Sequence, residues 1–388
     1  MRITIVSGFF LPVPPVMGGS TEKIWYRLAR EFAAAGHTVT MVSRRWPGWP
    51  EVSTECEGRL THLRLRGCTH TRFLVLNLIL DFLWGVQVAW HLPPGDIVAC
   101  NTVSLPVYLR FVRRDVGRIA AVFGRMPKGQ NHAYRAVDLL LATSAEVAAR
   151  IRAQSPQLAA RTLVFPNPID WTLHRQAATG RAAPLTIGFA GRIHPEKGLE
   201  HLLEAAVLLL DRPGLPPWRI ALVGPVAVPQ GGAGEAYRNL LQERFGSRLG
   251  QRLSIRPPIY DAGELARHYA TLAIFCYPSV AEKGETFGIS VAEAMAAGAA
   301  AVVSGLACFR DLVREGENGL VFDHRGATPS AALADILARL LREPSLRDRL
   351  AAAGQASVRR YDYAETAKVL LAEFSRLTQS GPRQSSPP

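Results

Sequence analysis

The stretch that decides the fold is residues 2–43. RITIVSG (2–8) is a short run of apolar and β-branched residues. STEKIWYRLAREFAAAG (20–36) is amphipathic at helical spacing, and HTVTMVS (37–43) is a second short run. The order strand, helix, strand within 43 residues predicts a βαβ unit and therefore a parallel sheet with helices on its faces. Ser20 or Thr21 is placed to cap the helix.

The alternation continues outward. DIVACN (96–101), RIAAVF (118–123) and DLLLATS (138–144) read as strands, with AEVAARIRA (145–153) as the next helix. The rhythm restarts at LTIGFAG (185–191). GLEHLLEAAVLLL (198–210), AGELARHYATL (262–272) and VAEAMAAG (291–298) read as helices. RIALVGP (219–225), RLSIRPP (252–258), IFCYPS (274–279) and AAVVSG (300–305) read as strands. The expected class is α/β, with two doubly wound Rossmann-like domains facing across a cleft. FPNPIDWTLHRQAATGRAAPL (165–185) lacks a period and reads as the hinge. The expected boundaries are 1–168, 169–360, a C-terminal helix over 361–378 that crosses back to the first domain, and a disordered tail over 379–388.

At 388 residues the chain exceeds one ordinary core, and 48 % hydrophobic content makes it globular. Five cysteines contain no C-x-x-C pair, which argues against a zinc site and suits a reducing cytosol. MRITIVSGFF reads as a first strand and not as a signal peptide. FLVLNLILDFLWGVQVAW (73–90) is interrupted by Asn77, Asp81 and Gln87, each costly in lipid. It reads as a buried helix, or one lying at a membrane surface, and not as a span. Residues 1–168 hold 20 Lys/Arg against 10 Asp/Glu, and that basic half would attract phosphates or anionic lipid. Aromatic and basic residues are not interleaved on one face, so nucleic acid is not an expected partner.

In doubly wound sheets, ligands gather at the carboxyl ends of the strands. After the first strand, Gly18 and Gly19 precede a helix start, where a backbone can approach an anion. The spacing is neither that of a P-loop nor that of a dinucleotide fingerprint. After LTIGFAG, Arg192 and Lys197 are placed to converge on one diphosphate; two solvated surface charges would look the same. After IFCYPS, EKGETFGISVAEAMAAG (282–298) sets Glu285 and Glu293 on either side of a glycine turn, with a helix beginning near Ser290. The N–H groups around Gly288–Val291 suit a phosphate, and the two acids suit the hydroxyls at either end of a diphosphate-linked sugar. Ser290-x-x-Glu293 is also a capping-box spacing, which by itself would explain Glu293.

Taken together, these motifs resemble the retaining glycosyltransferases of family 4, which have the two-domain GT-B fold. The resemblance runs through MGGSTEKIWYRLAREFAAAGHTVTMVS, VFPNPID (with Pro168 where the family has Gly), FAGRIHPEKGLEHLLEA, ETFGISVAEAMAAGAAAVVS and DLVREGENGLVF. It implies a donor diphosphate held by Arg192 and Lys197, donor-sugar hydroxyls on Glu285 and the nucleotide ribose on Glu293. Gly19, with Gly18, would close on the phosphates, and the N–H groups near Gly288 and Ile289 would add to the grip. The implied reaction moves a sugar from a nucleotide-diphosphate sugar to an acceptor hydroxyl with retention, in bacterial polysaccharide, glycolipid or glycoconjugate synthesis. No cofactor other than that donor is implied. The chain has no D-x-D, so no metal is expected. The implied acceptor is a carbohydrate or a lipid-linked carbohydrate. The expected location is cytoplasmic, peripheral on an anionic inner membrane face. One position departs from the family: Phe123 in AAVFGRMPKGQ stands where a His is usual, while Gly124 is kept, so a polar contact there would come from Arg125 or Lys128. Two other readings are an epimerase on the same fold and a nucleotide-sugar-binding scaffold without activity.

Overall fold

The computed structural model describes residues 1–16, 19–177 and 184–379; Gly18 and the expected tail beyond Gln379 lie outside these described residues. The chain forms two compact units. The first holds residues 1–168 and the C-terminal segment from Tyr363, and the second holds Ile169–Asp362.

The first unit contains β1 (Arg2–Val6), α1 (Ser20–Ala34), β2 (Thr38–Arg44), β3 (Val52–Glu55), β4 (Leu60–Leu65) and α2 (Leu74–His91). β5 (Ile97–Cys100), α3 (Leu105–Val112), β6 (Arg118–Phe123), β7 (Leu139–Ala142), α4 (Ala145–Gln154) and β8 (Thr162–Val164) follow. Its eight strands are ordered β3-β4-β2-β1-β5-β6-β7-β8. All neighbours are parallel except β3, which pairs antiparallel with β4. The expectation of a purely parallel sheet is corrected at that edge: the Cys56–Glu57–Gly58 turn, all at positive φ, reverses the chain within a few residues, too few for a crossover.

The second unit contains α5 (Trp171–Gln176), β9 (Leu185–Ala190), α6 (Leu199–Leu210), β10 (Trp218–Val223), α7 (Glu235–Leu249), β11 (Leu253–Arg256) and α8 (Ala262–Ala270). β12 (Leu272–Tyr277), α9 (Ile289–Ala296), β13 (Ala300–Ser304), β14 (Leu320–Phe322), α10 (Pro329–Arg342) and α11 (Pro344–Val358) complete it. Its sheet is parallel, ordered β11-β10-β9-β12-β13-β14. The final helix, α12 (Tyr363–Gln379), returns to the first unit.

β5, β7, β12 and β13 are buried along their whole length, which is why they read as unbroken apolar runs instead of alternating ones. Chain order reverses between β1 and β5 in the first sheet and between β9 and β12 in the second. Those are the switch points at whose carboxyl ends a doubly wound sheet opens a crevice. α12 lies against α1, with Phe374 edge-on to Phe32 at 6.3 Å and Arg27 over the Tyr363 ring at 5.3 Å.

Two local expectations are corrected. Gly19, at φ 89°, is the residue that precedes α1, and no side chain caps that end, so neither Ser20 nor Thr21 does. The hinge stretch contains α5, started by Asp170, whose Oδ1 accepts from Leu173 N at 3.1 Å.

Candidate active site

The loops after β9 and β12 flank the switch point of the second sheet, and the charged residues singled out from sequence stand on them. After β9 the chain passes Gly191, whose carbonyl lies where a Cβ on Gly224 would sit, at 1.7 Å. Gly224 brings the β10 exit against the β9 exit. Arg192 then donates from Nη1 to Gly231 O at 3.1 Å and from Nη2 to Glu196 Oε1. A one-turn helix, Pro195–Lys197, ends at Gly198 with φ 64°. A Cβ on Gly198 would meet Pro278 O at 2.1 Å, so the glycine lets this loop touch the exit of β12.

That contact points Lys197 inward. Its residue is 5 % exposed, and its Nζ donates to Glu285 Oε1 while lying 3.7 Å from Glu196 Oε1. Arg192 and Lys197 thus approach the same carboxylate oxygen, Glu196 Oε1. Glu285 is also buried, and Oε1 further accepts from Tyr277 Oη at 3.2 Å and Ser279 Oγ at 3.4 Å. A buried ion pair recovers its desolvation cost only when extra hydrogen bonds complete it, and Tyr277 and Ser279 supply them. Burial first, and the Glu285 charge second, hold the Tyr277 hydroxyl far above the usual tyrosine range, so it stays a donor. The single Ser279 hydroxyl proton is shared between Glu285 Oε1 and Glu196 O, 3.2 Å away, and Ser304 Oγ, at the end of β13, donates to Ser279 O at 2.5 Å. Three strand exits are tied into one polar cluster.

α9 starts after Gly288 (φ 95°), where a Cβ would meet Phe309 Cε1 at 2.9 Å. The helix begins at Ile289, next to the expected Ser290. No side chain caps it, and the capping-box reading of Glu293 is corrected. Ser290, inside the first turn, acts on the Tyr277 hydroxyl in the opposite sense to burial, lowering its pKa, which sets the helix start beside the Glu285 cluster. Glu293, one turn on, accepts from Tyr269 Oη at 3.2 Å, and His174 Nε2 of α5 stands 3.8 Å from its other oxygen. Burial, then the Glu293 charge, raises the Tyr269 hydroxyl well above its ordinary range. Tyr277, Phe275 and Tyr269 stand in successive ring contact at 6.2 and 5.7 Å, so one aromatic row runs from the Glu285 cluster to Glu293.

Arg192, Lys197, Glu285 and the α9 start are thus gathered, and Glu293 stands at the far end of the aromatic row. Glu196, Tyr277, Ser279 and Tyr269 were not singled out. Tyr277 and Ser279 lie in or just after an apolar strand and read as core, whereas Glu196 had a visible signal in the run Pro-Glu-Lys-Gly. In the first unit, Gly19 is held close to α1: a Cβ there would meet Glu22 Oε2 at 2.4 Å, and Glu22 is buried, with its carboxyl pKa raised by that burial. Phe123 ends β6 as a core residue, edge-on to Tyr134 at 5.0 Å, while Arg125 and Lys128 are exposed.

Two doubly wound units, with unlike charges clustered at the strand exits of the second, define the GT-B class of glycosyltransferase architecture. Over 98 % of its length the chain superposes on all of the sucrose-phosphate synthase from Thermosynechococcus elongatus, with a TM-score of 0.78 at 21 % identity. Residues 173–357 match the model of the glycosyl transferases group 1. The chain is 35 % identical, over 98 % of both chains, to a phosphatidyl-myo-inositol mannosyltransferase of Mycobacterium tuberculosis. It is 30 % identical to a D-inositol 3-phosphate glycosyltransferase of Geodermatophilus obscurus, over 64 % of this chain and 54 % of that one. The chain belongs to the glycosyl transferases group 1.

Proposed function

We propose that this glycosyltransferase moves a sugar from a nucleotide-diphosphate sugar to an acceptor hydroxyl, with retention and without a metal. The observation that carries the reading is the convergence of Arg192 and Lys197 on one anionic oxygen beside the α9 start. In the proposed reaction, diphosphate oxygens compete with Glu196 for the two cations. The N–H groups of the first α9 turn face the same charge, which grows as the sugar–phosphate bond breaks. Glu285, fixed by Lys197, Tyr277 and Ser279, accepts from donor-sugar hydroxyls, and Glu293, fixed by Tyr269, accepts from the ribose. The acceptor hydroxyl adds to the face from which the diphosphate departs. The M. tuberculosis relative makes a mannosyl donor and an inositol-bearing phospholipid the first pair to test.

A peripheral membrane location supports a lipid-borne acceptor. Along α2 and the residue before it, Phe73, Leu74, Val75, Leu78, Ile79, Phe82 and Leu83 are exposed, while Asn77 and Asp81 turn inward. Arg72 lies over the Phe73 ring at 4.8 Å, a cation beside the apolar stripe that suits anionic headgroups.

The test is nucleoside diphosphate release from a panel of UDP-, GDP- and ADP-sugars, with and without a chelator. Release that survives chelation and falls at least a hundredfold in Lys197→Ala and Glu285→Ala is expected. Unchanged release in both variants would remove this reading. Product anomeric configuration by NMR decides retention.

A further inference from the structure

We infer that His324 and Arg325, in the loop after β14, are positioning residues for Glu285: through Glu282 they clamp the turn from which Glu285 projects. The inference rests on the transfer reading above, in which Glu285 accepts from donor-sugar hydroxyls, and it adds what keeps that carboxylate in register. After β12, Ala281 O accepts from Gly284 N at 3.0 Å and from Glu285 N at 3.1 Å, which closes a tight turn over residues 281–285. One side of the turn is tied to the β9 loop, where Val280 N donates to Glu196 O at 2.9 Å. The other side meets the exit of β14. Glu282 Oε1 lies 3.0 Å from His324 Nε2 and 2.6 Å from Arg325 Nη2. A carboxylate only accepts, so the imidazole proton sits on Nε2. The Arg325 hydrogen bond, and with it that of His324, holds the Glu282 carboxyl below the usual carboxylate range against the opposing effect of burial, so it stays anionic.

The two partners contribute unequally. The Glu282 and Arg325 side chains are 51 % and 53 % exposed, and an ion pair so wet adds little rigidity by itself. The His324 side chain is 3 % exposed. Its ring stands edge-on to Phe322 at 6.5 Å, and Phe322 O accepts from Gly305 N at 3.0 Å, so the imidazole is fixed to the exits of β13 and β14. Its Nδ1 is buried, with no hydrogen-bond partner among the described residues. A buried ring nitrogen left unpaired is costly, and an apolar side chain would fill the same space without that cost. The Nε2 bond to Glu282 accounts for an imidazole at this position.

Arg325 supplies direction. Its N donates to Asp323 Oδ1 at 2.9 Å and its Nη1 to Gly305 O at 3.2 Å, which leaves Nη2 for Glu282. β13 lies between β12 and β14 in the sheet, so the clamp passes the β13 exit at Gly305 and joins two strand exits that are not neighbours. Glu285 is thus held twice. Lys197, Tyr277 and Ser279 fix its carboxylate, and the clamp fixes the backbone that carries it. A group that meets the reacting sugar tolerates little displacement: a shift of about 1 Å can cost about a hundredfold in rate.

The experiment compares the full-length parent with Glu282→Ala, His324→Ala and His324→Gln. Turnover is measured with GDP-mannose, UDP-glucose and ADP-glucose, affinity for GDP, UDP and ADP by calorimetry, and amide hydrogen exchange across residues 280–288. In both alanine variants kcat is expected to fall about tenfold or more while nucleoside diphosphate affinity stays within about twofold. Exchange at Gly284 and Glu285 is expected to accelerate in the same two variants. His324→Gln keeps an N–H donor of similar reach and should recover most of the loss. Glu282 is exposed, so its variant reads the clamp even where His324→Ala fails to fold. Parental kcat in Glu282→Ala overturns the inference. So does a loss of nucleoside diphosphate affinity as large as the loss of turnover, or a His324→Gln variant as slow as His324→Ala. Failure of the transfer reading shows differently: the parent turns over none of the three donors, and exchange at Gly284 and Glu285 then decides the clamp, parental exchange in both alanine variants overturning it.

Discussion

Gly198 sets the direction of Lys197. It stands at φ 64°, and the space its Cβ would need is taken by Pro278 O. Gly198→Ala adds roughly 1–2 kcal/mol of left-handed strain, and the collision must also push the β9 loop away from the β12 exit. Donor turnover is expected to fall at least tenfold, with Tm lower by roughly 2–6 °C; turnover and melting together check this, and a variant with parental turnover would contradict it. At this scale, charge was the legible signal. Lys197 stood out with Arg192 as two cations in one loop, and Glu285 with Glu293 as two acids around a glycine turn; that Lys197 and Glu285 pair with each other is seen only in the structure. Tyr277 was hidden because a tyrosine ending IFCYPS is indistinguishable in sequence from a core ring, which it also is: it stacks on Phe189 at 5.3 Å. Its polar half matters only once Glu285 is known to lie against it.

Helix α2 shows how element-level reading divides. Its apolar composition was plain, and by length and composition it is apolar enough to cross a membrane; the three polar residues were the reason to read it otherwise. Where they point was not legible, because a helix rich in Leu on every side has no strong periodic face. Asn77 turns inward to bond Thr71, with Nδ2 donating to Thr71 O at 2.8 Å. Asp81 accepts from Ser104 N at 2.8 Å and Ser104 Oγ at 2.6 Å, at the start of α3. Those bonds help fix the helix with Leu74, Val75, Leu78, Ile79, Phe82 and Leu83 outward and with Trp84 and Val88 inward. Ile79→Glu/Phe82→Glu is expected to reduce sedimentation with anionic liposomes about tenfold or more, since each buried apolar side chain contributes about 1.5–3 kcal/mol. Calorimetric donor affinity should not change. Equal sedimentation of parent and variant would end the membrane assignment. The edge strand β3 was missed for a related reason: VSTE carries one apolar residue and no period.

For the molecule as a whole, the class was legible because βαβ order recurs twice with its own strand exits, and parallel topology constrains what such an order can build. The discontinuous first unit is the feature with most leverage on stability. Leu370 and Phe374 of α12 are fully buried in that unit, although they lie far along the chain from β1. Phe374→Ala should destabilise the first unit by about 3–5 kcal/mol. Hydrogen exchange is expected to accelerate in α1 and β2 while β9 and β12 keep their protection. Equal acceleration in both units would show that they do not unfold separately.

The chain leaves the first unit at Pro168 and re-enters it at Tyr363, and within the second unit Ile169 N donates to Tyr361 O at 2.8 Å, so entry and exit lie side by side. During synthesis this imposes a wait. Once residue 168 has emerged, the amino-terminal body still lacks the segment that covers Phe32, and residues 169–362 must be translated first. At about 5–20 residues per second that interval lasts on the order of 10–40 s. Throughout it a nascent apolar face lies uncovered, an interval in which the newborn polypeptide is exposed to misassembly before its first unit can close.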